Sequence, residues 1–298
     1  RAVITRFRHR PPLVGVPTEN PVPDDAGVVI TDFVDRVGDP VPIVAGDGSA
    51  HTGEDLLAEA LRALASIATR GRPLPTAAAV TYPAHWRRPA VEALRIDLRR
   101  VPEWAADEPL LLPDTAAALT ALQADPGLPT RGVIALCDFG GSGTSITLAE
   151  AGGQAPIGAT VRHLDFSGDL IDQALLAHVV AELSAGGSVD MTSTSAIGSL
   201  THLRAECRAA KERLSSASVT ALPAELRGFR GDVRLTRTEL DDAIARSLAD
   251  VVAALHDAMG RAGVRPADLA AIASVGGGAV IPAVTTALSQ HLRVPVVT

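Results

Sequence analysis

Hydrophobic residues fall into two patterns along this chain: short apolar runs that end on a carboxylate or glycines, and longer stretches with helical spacing. Residues 133–137 form one such run, apolar and β-favouring, and predict a buried strand whose end presents Asp138. Gly140, Gly141 and Gly143 then permit a tight turn, and residues 144–148 alternate polar with apolar, the two-residue period of a strand. The segment therefore reads as a β-hairpin. A second apolar run from residue 270 meets Gly276, Gly277 and Gly278, after which Pro282 opens a helical pattern through Leu288 and Leu292.

Between these junctions the pattern alternates helices with strands. Helices are predicted over residues 52–68, with a stripe of Leu56, Leu57, Ala60, Leu61 and Leu64, and over 88–100, 114–122, 169–183, 200–214 and 238–262. Strands are predicted at 77–82, as a buried strand, and at 110–112, 219–222 and 233–235. Residues 11–23 are proline-rich and extended, 27–37 read as a strand or short helix, and 185–199 as a polar loop. Asp114 stands where a helix N-cap belongs, and Asp169 and Asp172 in a first helical turn, where carboxylates are stabilising.

Composition narrows the class. Over 298 residues, 47% hydrophobic content with only 3% aromatics means a core of Ala, Val, Leu and Ile, suited to strands buried under helices. A formal charge of −7 offers no basic field for nucleic acid. No apolar run reaches the roughly 18 residues of a membrane span, and the first residues lack the apolar core of a signal peptide. The two cysteines, Cys137 and Cys207, do not suggest a disulfide framework, so reduced thiols and a cytoplasmic location are expected. The histidines show no zinc-site spacing, serines form no nucleophile elbow, and neither zinc nor a redox cofactor is expected.

The chemistry concentrates at the glycine junctions. The hairpin carries neither a P-loop nor a dinucleotide fingerprint, since a strand rather than a helix follows its glycines. Backbone N–H groups at such a turn can face an anion, beside a carboxylate able to hold Mg²⁺ through water. Two strand-to-glycine junctions suggest one nucleotide held between them.

Seven strings stand in one order: AVTYPAHW at 79–86, LLPDTAAAL at 111–119, VIALCDFGGSGTSITL at 133–148, HLDFSGDLIDQALL at 163–176, LRAECRAAKERLSSASVTALP at 203–223, LTRTELDDAI at 235–244 and SVGGGAVIPAV at 274–284. In that order they resemble the ATPase domain of the seventy-kilodalton heat-shock chaperones, whose second phosphate hairpin reads DLGGGTFDVSI and whose late glycine junction reads LVGGSTRIPKV. The resemblance implies an α/β, actin-like ATPase (ribonuclease H-like) fold of two lobes, each a mixed sheet flanked by helices, with smaller inserted subdomains. Residues 1–130 would form the first lobe, with a small subdomain over about 1–75. Residues 131–298 would form the second, with 131–168 and 245–298 as core and 169–244 inserted. It implies ATP or ADP with Mg²⁺ as cofactors, protein clients as partners, and a site of Asp138, Gly140, Gly141, Ser142, Gly168, Asp169, Lys211, Ser215, Gly276, Gly277 and Gly278. Asp138 would hold Mg²⁺ through water, and Asp138 and Asp114 are the catalytic candidates.

The departures fall on working positions. The family's first phosphate hairpin and its closing segment have no counterpart here, which suggests a chain trimmed at both ends. Lys211 is the only lysine, and residues 30–40 lack the family's γ-phosphate lysine. Ser142 stands at the hairpin's third glycine, Gly143 at its threonine, and Ser145 at the aspartate that orients the attacking water. Pro113 replaces a glutamate, Val91 the arginine of a proline relay, and Glu212 and Val280 two adenine-stacking arginines. Phosphoryl transfer depends on metal, cationic clamp and oriented water, so weak hydrolysis or none is expected. Two functions stay open, a chaperone-like nucleotide-binding domain or a pseudo-ATPase scaffold for protein partners that binds no nucleotide; a third, a small-molecule kinase of the same superfamily, is disfavoured by the chaperone-like string AAKERLSSASVTALP at 209–223.

Overall fold

The computed structural model describes residues 2–15, 27–73, 78–124, 127–153, 155–185 and 196–298. The chain divides into two compact units, Arg1–Ala117 and Ala118–Thr298.

In the first unit, β1 (Val3–Arg6) pairs antiparallel with both β2 (Leu13–Val14) and β3 (Val28–Thr31). A short hairpin of β4 (Ile43–Val44) and β5 (Ala50–His51) leads into α1 (Gly53–Thr69). Thr52 caps that helix, its hydroxyl accepting the Asp55 N–H, with Glu54 and Asp55 in the first turn as the dipole favours. Leu56 and Ala60 pack on Ile4, Ile30 and Phe33, while Ala58 joins a second cluster with Val80, Leu94, Leu98 and Trp104. Leu64, expected in the buried stripe, is 47% exposed, because α1 buries its first turns and not its last ones.

β6 (Ala79–Tyr82) and β7 (Leu110–Pro113) pair in parallel around α2 (Arg88–Leu98). The expected buried strand here is buried only at Val80. Among the described residues it has one strand neighbour and packs one face, so alternate side chains meet solvent. Residues 16–23 and 77, within the extended segment and strand expected there, lie outside the described residues.

α3 (Asp114–Ala124) carries the division between the units. The compact units divide inside α3 because Leu119 and Leu122 pack with Ile134, Leu136, Ala149 and Ala273 of the second unit.

The second unit is built on a mixed five-stranded sheet. Its strands are β8 (Val133–Phe139), β9 (Thr144–Glu150), β10 (Val161–His163), β13 (Leu269–Val275) and β14 (Val296–Val297), in the order β10-β9-β8-β13-β14. β8–β9 and β9–β10 are antiparallel, whereas β8–β13 and β13–β14 are parallel. Between β10 and β13 the chain makes α4 (Gly168–Ala185), α5 (Ala196–Leu214), a hairpin of β11 (Val219–Leu226) and β12 (Phe229–Thr236), and α6 (Arg237–Arg261). α7 (Pro282–Leu292) precedes β14.

Helices cover both faces of β8, which explains its unbroken apolar run. Ala135, Cys137 and Phe139 enter the cluster built by α4, α5, α6 and α7, while Ile134 and Leu136 face Leu119. The polar members of the alternating run in β9 are buried too. Thr144 donates to the Phe166 carbonyl at 2.9 Å and Thr147 shares a 2.8 Å hydrogen bond with Thr160, so burial leaves these hydroxyls paired. Of the stretch 185–199 predicted as a polar loop, residue 185 belongs to α4 and 196–199 to α5, and 186–195 lie outside the described residues. α6 begins with a capping box, Thr236 and Glu239 exchanging side-chain and backbone hydrogen bonds, and buries a stripe from Leu240 to Met259. No described helix is long and apolar enough to cross a membrane.

Leu255 of α6 is fully buried. Leu255→Ala should lower the unfolding free energy by about 2–5 kcal/mol in urea denaturation, whereas Leu64→Ala should change it by no more than about 0.5 kcal/mol. Equal effects at the two positions would contradict the packing described.

Candidate functional site

The two glycine junctions predicted from sequence stand side by side. β8 and β13 run parallel with Asp138 opposite Val275, so both strands deliver their carboxyl ends, and the glycines after them, to one edge of the sheet. Ligands of open α/β sheets bind at such edges. Gly276 has φ +86°, and a Cβ there would lie 2.3 Å from Asp138 Oδ1 and 2.7 Å from the Phe139 carbonyl oxygen. Only glycine fits. Gly278 is constrained by space alone, since its Cβ would meet the Phe139 side chain at 2.8 Å, and Gly277 has open space around it. Asp138 is half-buried, and this burial raises its pKa while the charge of Arg162 pulls the other way.

The hairpin tip is docked onto α4. The Gly140 N–H donates to the Gly143 carbonyl at 3.0 Å, closing the turn. Gly168 N–H donates to the Gly140 carbonyl at 3.0 Å and Asp169 N–H to the Gly141 carbonyl at 2.9 Å. Two amides at the start of α4 are thereby engaged by the tip rather than offered to an anion. Lys211 of α5 ties the same junction from beneath, donating to the Gly168 carbonyl at 3.1 Å and pairing with Asp172 at 2.7 Å. The two side chains of that pair are only 13% and 6% exposed. Burial pushes the Asp172 pKa up, and Lys211 draws it back down. Ser215, one turn on, donates to the Lys211 carbonyl at 3.3 Å.

Gly140, Gly141, Gly168, Asp169 and Lys211 are thus brought together by direct bonds, and Asp138, Gly276 and Gly278 by close packing. Asp114 belongs to the first unit, where its Oδ1 accepts the N–H groups of Ala84 at 3.0 Å and Thr115 at 2.7 Å. It is the first residue of α3 rather than a cap ahead of it, and its bond to Ala84 fastens the loop after β6 to the start of the helix.

One cation at the hairpin escaped the sequence. Asp138, Ser145 and Arg162 lie in register across β8, β9 and β10, one on each strand, so they share a face of the sheet. Arg162 donates through Nη2 to Ser142 Oγ at 2.8 Å and through Nη1 to Ser145 Oγ at 3.2 Å. A Cβ on Gly143 would lie 2.8 Å from its Cζ and 2.9 Å from its Nε. The small residues at 143 and 145 are the sequence signal for this arginine, but it becomes readable only once the pairing of β10 is known. A Mg²⁺ ion held through water by Asp138 suits this donor set poorly, because the Arg162 guanidinium already shares that carboxylate's sheet face and acts on it electrostatically. Cys137 and Cys207 are buried thiols with pKa values pushed up to about 12 by burial, which leaves them inert as nucleophiles at neutral pH.

Lys211→Met should cost about 3–5 kcal/mol of stability at pH 8, because Asp172 would be left buried and ionised without its partner. A carboxyl whose folded pKa is raised binds its proton more tightly folded than unfolded, so its contribution to stability is present at acid pH and lost as pH rises through the folded value. Removing Lys211 raises that value further. The gap between variant and wild type should therefore narrow from pH 8 to pH 5 in urea titrations, and a constant gap would argue against the pair.

Known proteins share this arrangement of motifs. The family model described as Hsp70 protein matches residues 112–296. Among similar curated proteins, a chaperone protein HscA homolog from Azotobacter vinelandii is 31% identical over 216 residues, covering 72% of this chain and 32% of that protein. A chaperone protein DnaK from Cenarchaeum symbiosum is 29% identical over 164 residues, 53% of this chain and 25% of its own length. A heat shock cognate HSP70 protein from Trypanosoma brucei brucei is 28% identical over 162 residues, 52% and 24%. The chain thus spans about a third or less of each of these relatives. With the family match running from β7 to β14 and taking in both glycine junctions, the chain belongs to the Hsp70 family and carries its actin-like ATPase fold.

Proposed function

We propose that this chain is the nucleotide-binding domain of a chaperone-like protein, holding ATP or ADP at the junction of β8 and β13 and hydrolysing it slowly or not at all. The observation that carries this reading is the meeting of Asp138 with Gly276 at adjacent parallel strand ends, beside a glycine tip already closed and docked. Phosphates would lie against Gly140, Gly141 and Ser142, with Gly277 leaving the mouth open, and the two compact units are read as the two lobes. Weak hydrolysis follows from the chemistry at the tip. Ser145 offers a hydroxyl where orienting a water calls for a carboxylate, and that hydroxyl accepts from Arg162. Protein clients and a cytoplasmic location belong to the same reading.

A second reading, a scaffold that binds no nucleotide, is favoured by one observation. Lys211 is committed to Asp172 and Gly168, and the first amides of α4 to the hairpin.

Thermal unfolding with ATP and with ADP separates the two. At about 1 mM ligand, a stabilisation of about 2.7 kcal/mol corresponds to a Kd of about 10 µM. Stabilisation by both nucleotides, with phosphate release no faster than in a protein-free control, is the expected result. No stabilisation by either supports the scaffold, and rapid phosphate release would overturn the claim of weak hydrolysis.

A further inference from the structure

We propose that Arg162 stands in for the metal ion at the phosphate hairpin, so that a polyphosphate binds this site without Mg²⁺. The inference rests on the nucleotide reading above and concerns which positive charge receives the phosphates.

Three observations carry it. The guanidinium ties the tip of the hairpin to its second strand, bonded to Ser142 at the tip and to Ser145 in β9. It lies in the space a side chain at position 143 would need, so Gly143 and Arg162 are a matched pair: any larger residue at 143 displaces the cation. It shares a sheet face, in register, with Asp138.

The charges around the tip lead the same way. Lys211 is held by Asp172 and reaches the Gly168 carbonyl, whereas Arg162 bonds the hairpin's own Ser142 and Ser145. A divalent ion held through Asp138 would meet that fixed positive charge, while a phosphate would be drawn to it. Like charges repel most where water is excluded, and Asp138 is half-buried. A guanidinium also suits phosphate chemically, because it is planar, stays ionised at any relevant pH, and carries a fork of N–H groups that matches phosphate oxygens. The hairpin would thus keep its phosphate-binding role with a built-in cation in place of an acquired one. Nothing in this arrangement supplies the oriented water that hydrolysis needs, so binding and turnover come apart.

The test is calorimetric titration of the whole chain with ATP and, separately, with inorganic pyrophosphate, each in excess MgCl₂ and in EDTA. The expected result is a Kd for either probe that differs by less than about threefold between the two conditions, the free energy of a single weak contact. Arg162→Gln keeps the length and a hydrogen-bonding head but removes the charge. It should weaken pyrophosphate binding in EDTA by at least about tenfold, the loss of one charge-assisted phosphate contact. Binding of ATP more than about tenfold tighter in MgCl₂, or an Arg162→Gln variant that binds as wild type in EDTA, would overturn the assignment while leaving the nucleotide reading intact. Metal-free pyrophosphate binding that depends on Arg162, with ATP binding no tighter than pyrophosphate, would instead sink the adenine-nucleotide reading and keep the assignment. Failure of both probes overturns both. The comparison of MgCl₂ with EDTA needs only the wild-type chain, so it decides the matter even if the variant does not fold.

Discussion

The parallel pairing of β8 with β13 is the constraint on which the site depends. It sets Asp138 beside Val275, and Gly276 then turns away with a positive φ so close to the carboxylate that no side chain could intervene. Because helices cover both faces of these strands, the register is held by two hydrophobic clusters at once. A slip by one residue would exchange Cys137 and Phe139 with Leu136 and Asp138 across the sheet, placing a carboxylate in the core. The position of the acidic group is thus a by-product of packing, and it is as rigid as the core beneath it.

Several polar groups around the hairpin bond one another. The first amides of α4 bond the carbonyls of Gly140 and Gly141, Lys211 reaches the Gly168 carbonyl and Asp172, and Arg162 holds Ser142 and Ser145. Such a network is preorganised: a ligand arriving there does not have to order the tip. The same network limits chemistry, because donors already engaged must exchange partners before they can stabilise a developing charge. The proposed reading, binding with little turnover, draws on this arrangement, and the buried thiols add no alternative nucleophile.

The first unit is organised on its own terms. α1 joins its two clusters, with Leu56 in one and Ala58 in the other, and Asp114 pins the loop after β6 to the start of α3. These contacts account for the residues without any appeal to ligand chemistry.

Much of this was legible in the sequence. The apolar run 133–137, the glycine cluster after Asp138 and the matching cluster at 276–278 define strands and turns by local preference alone, and Thr52 and Thr236 mark helix starts through their caps. The order of the motif strings identified the family. Local pattern could not say which face of a strand is covered, so Leu64 and the strand at 79–82 are less buried than their periodicity implies. Nor could it foresee that Lys211, far along the chain from Asp172, would be held by that carboxylate, or that Arg162 would occupy the space left by Gly143. Hydrophobic period and turn chemistry act over a few residues and are written in the chain. Which charges meet depends on strand order and register, and these are chosen only when the whole core closes.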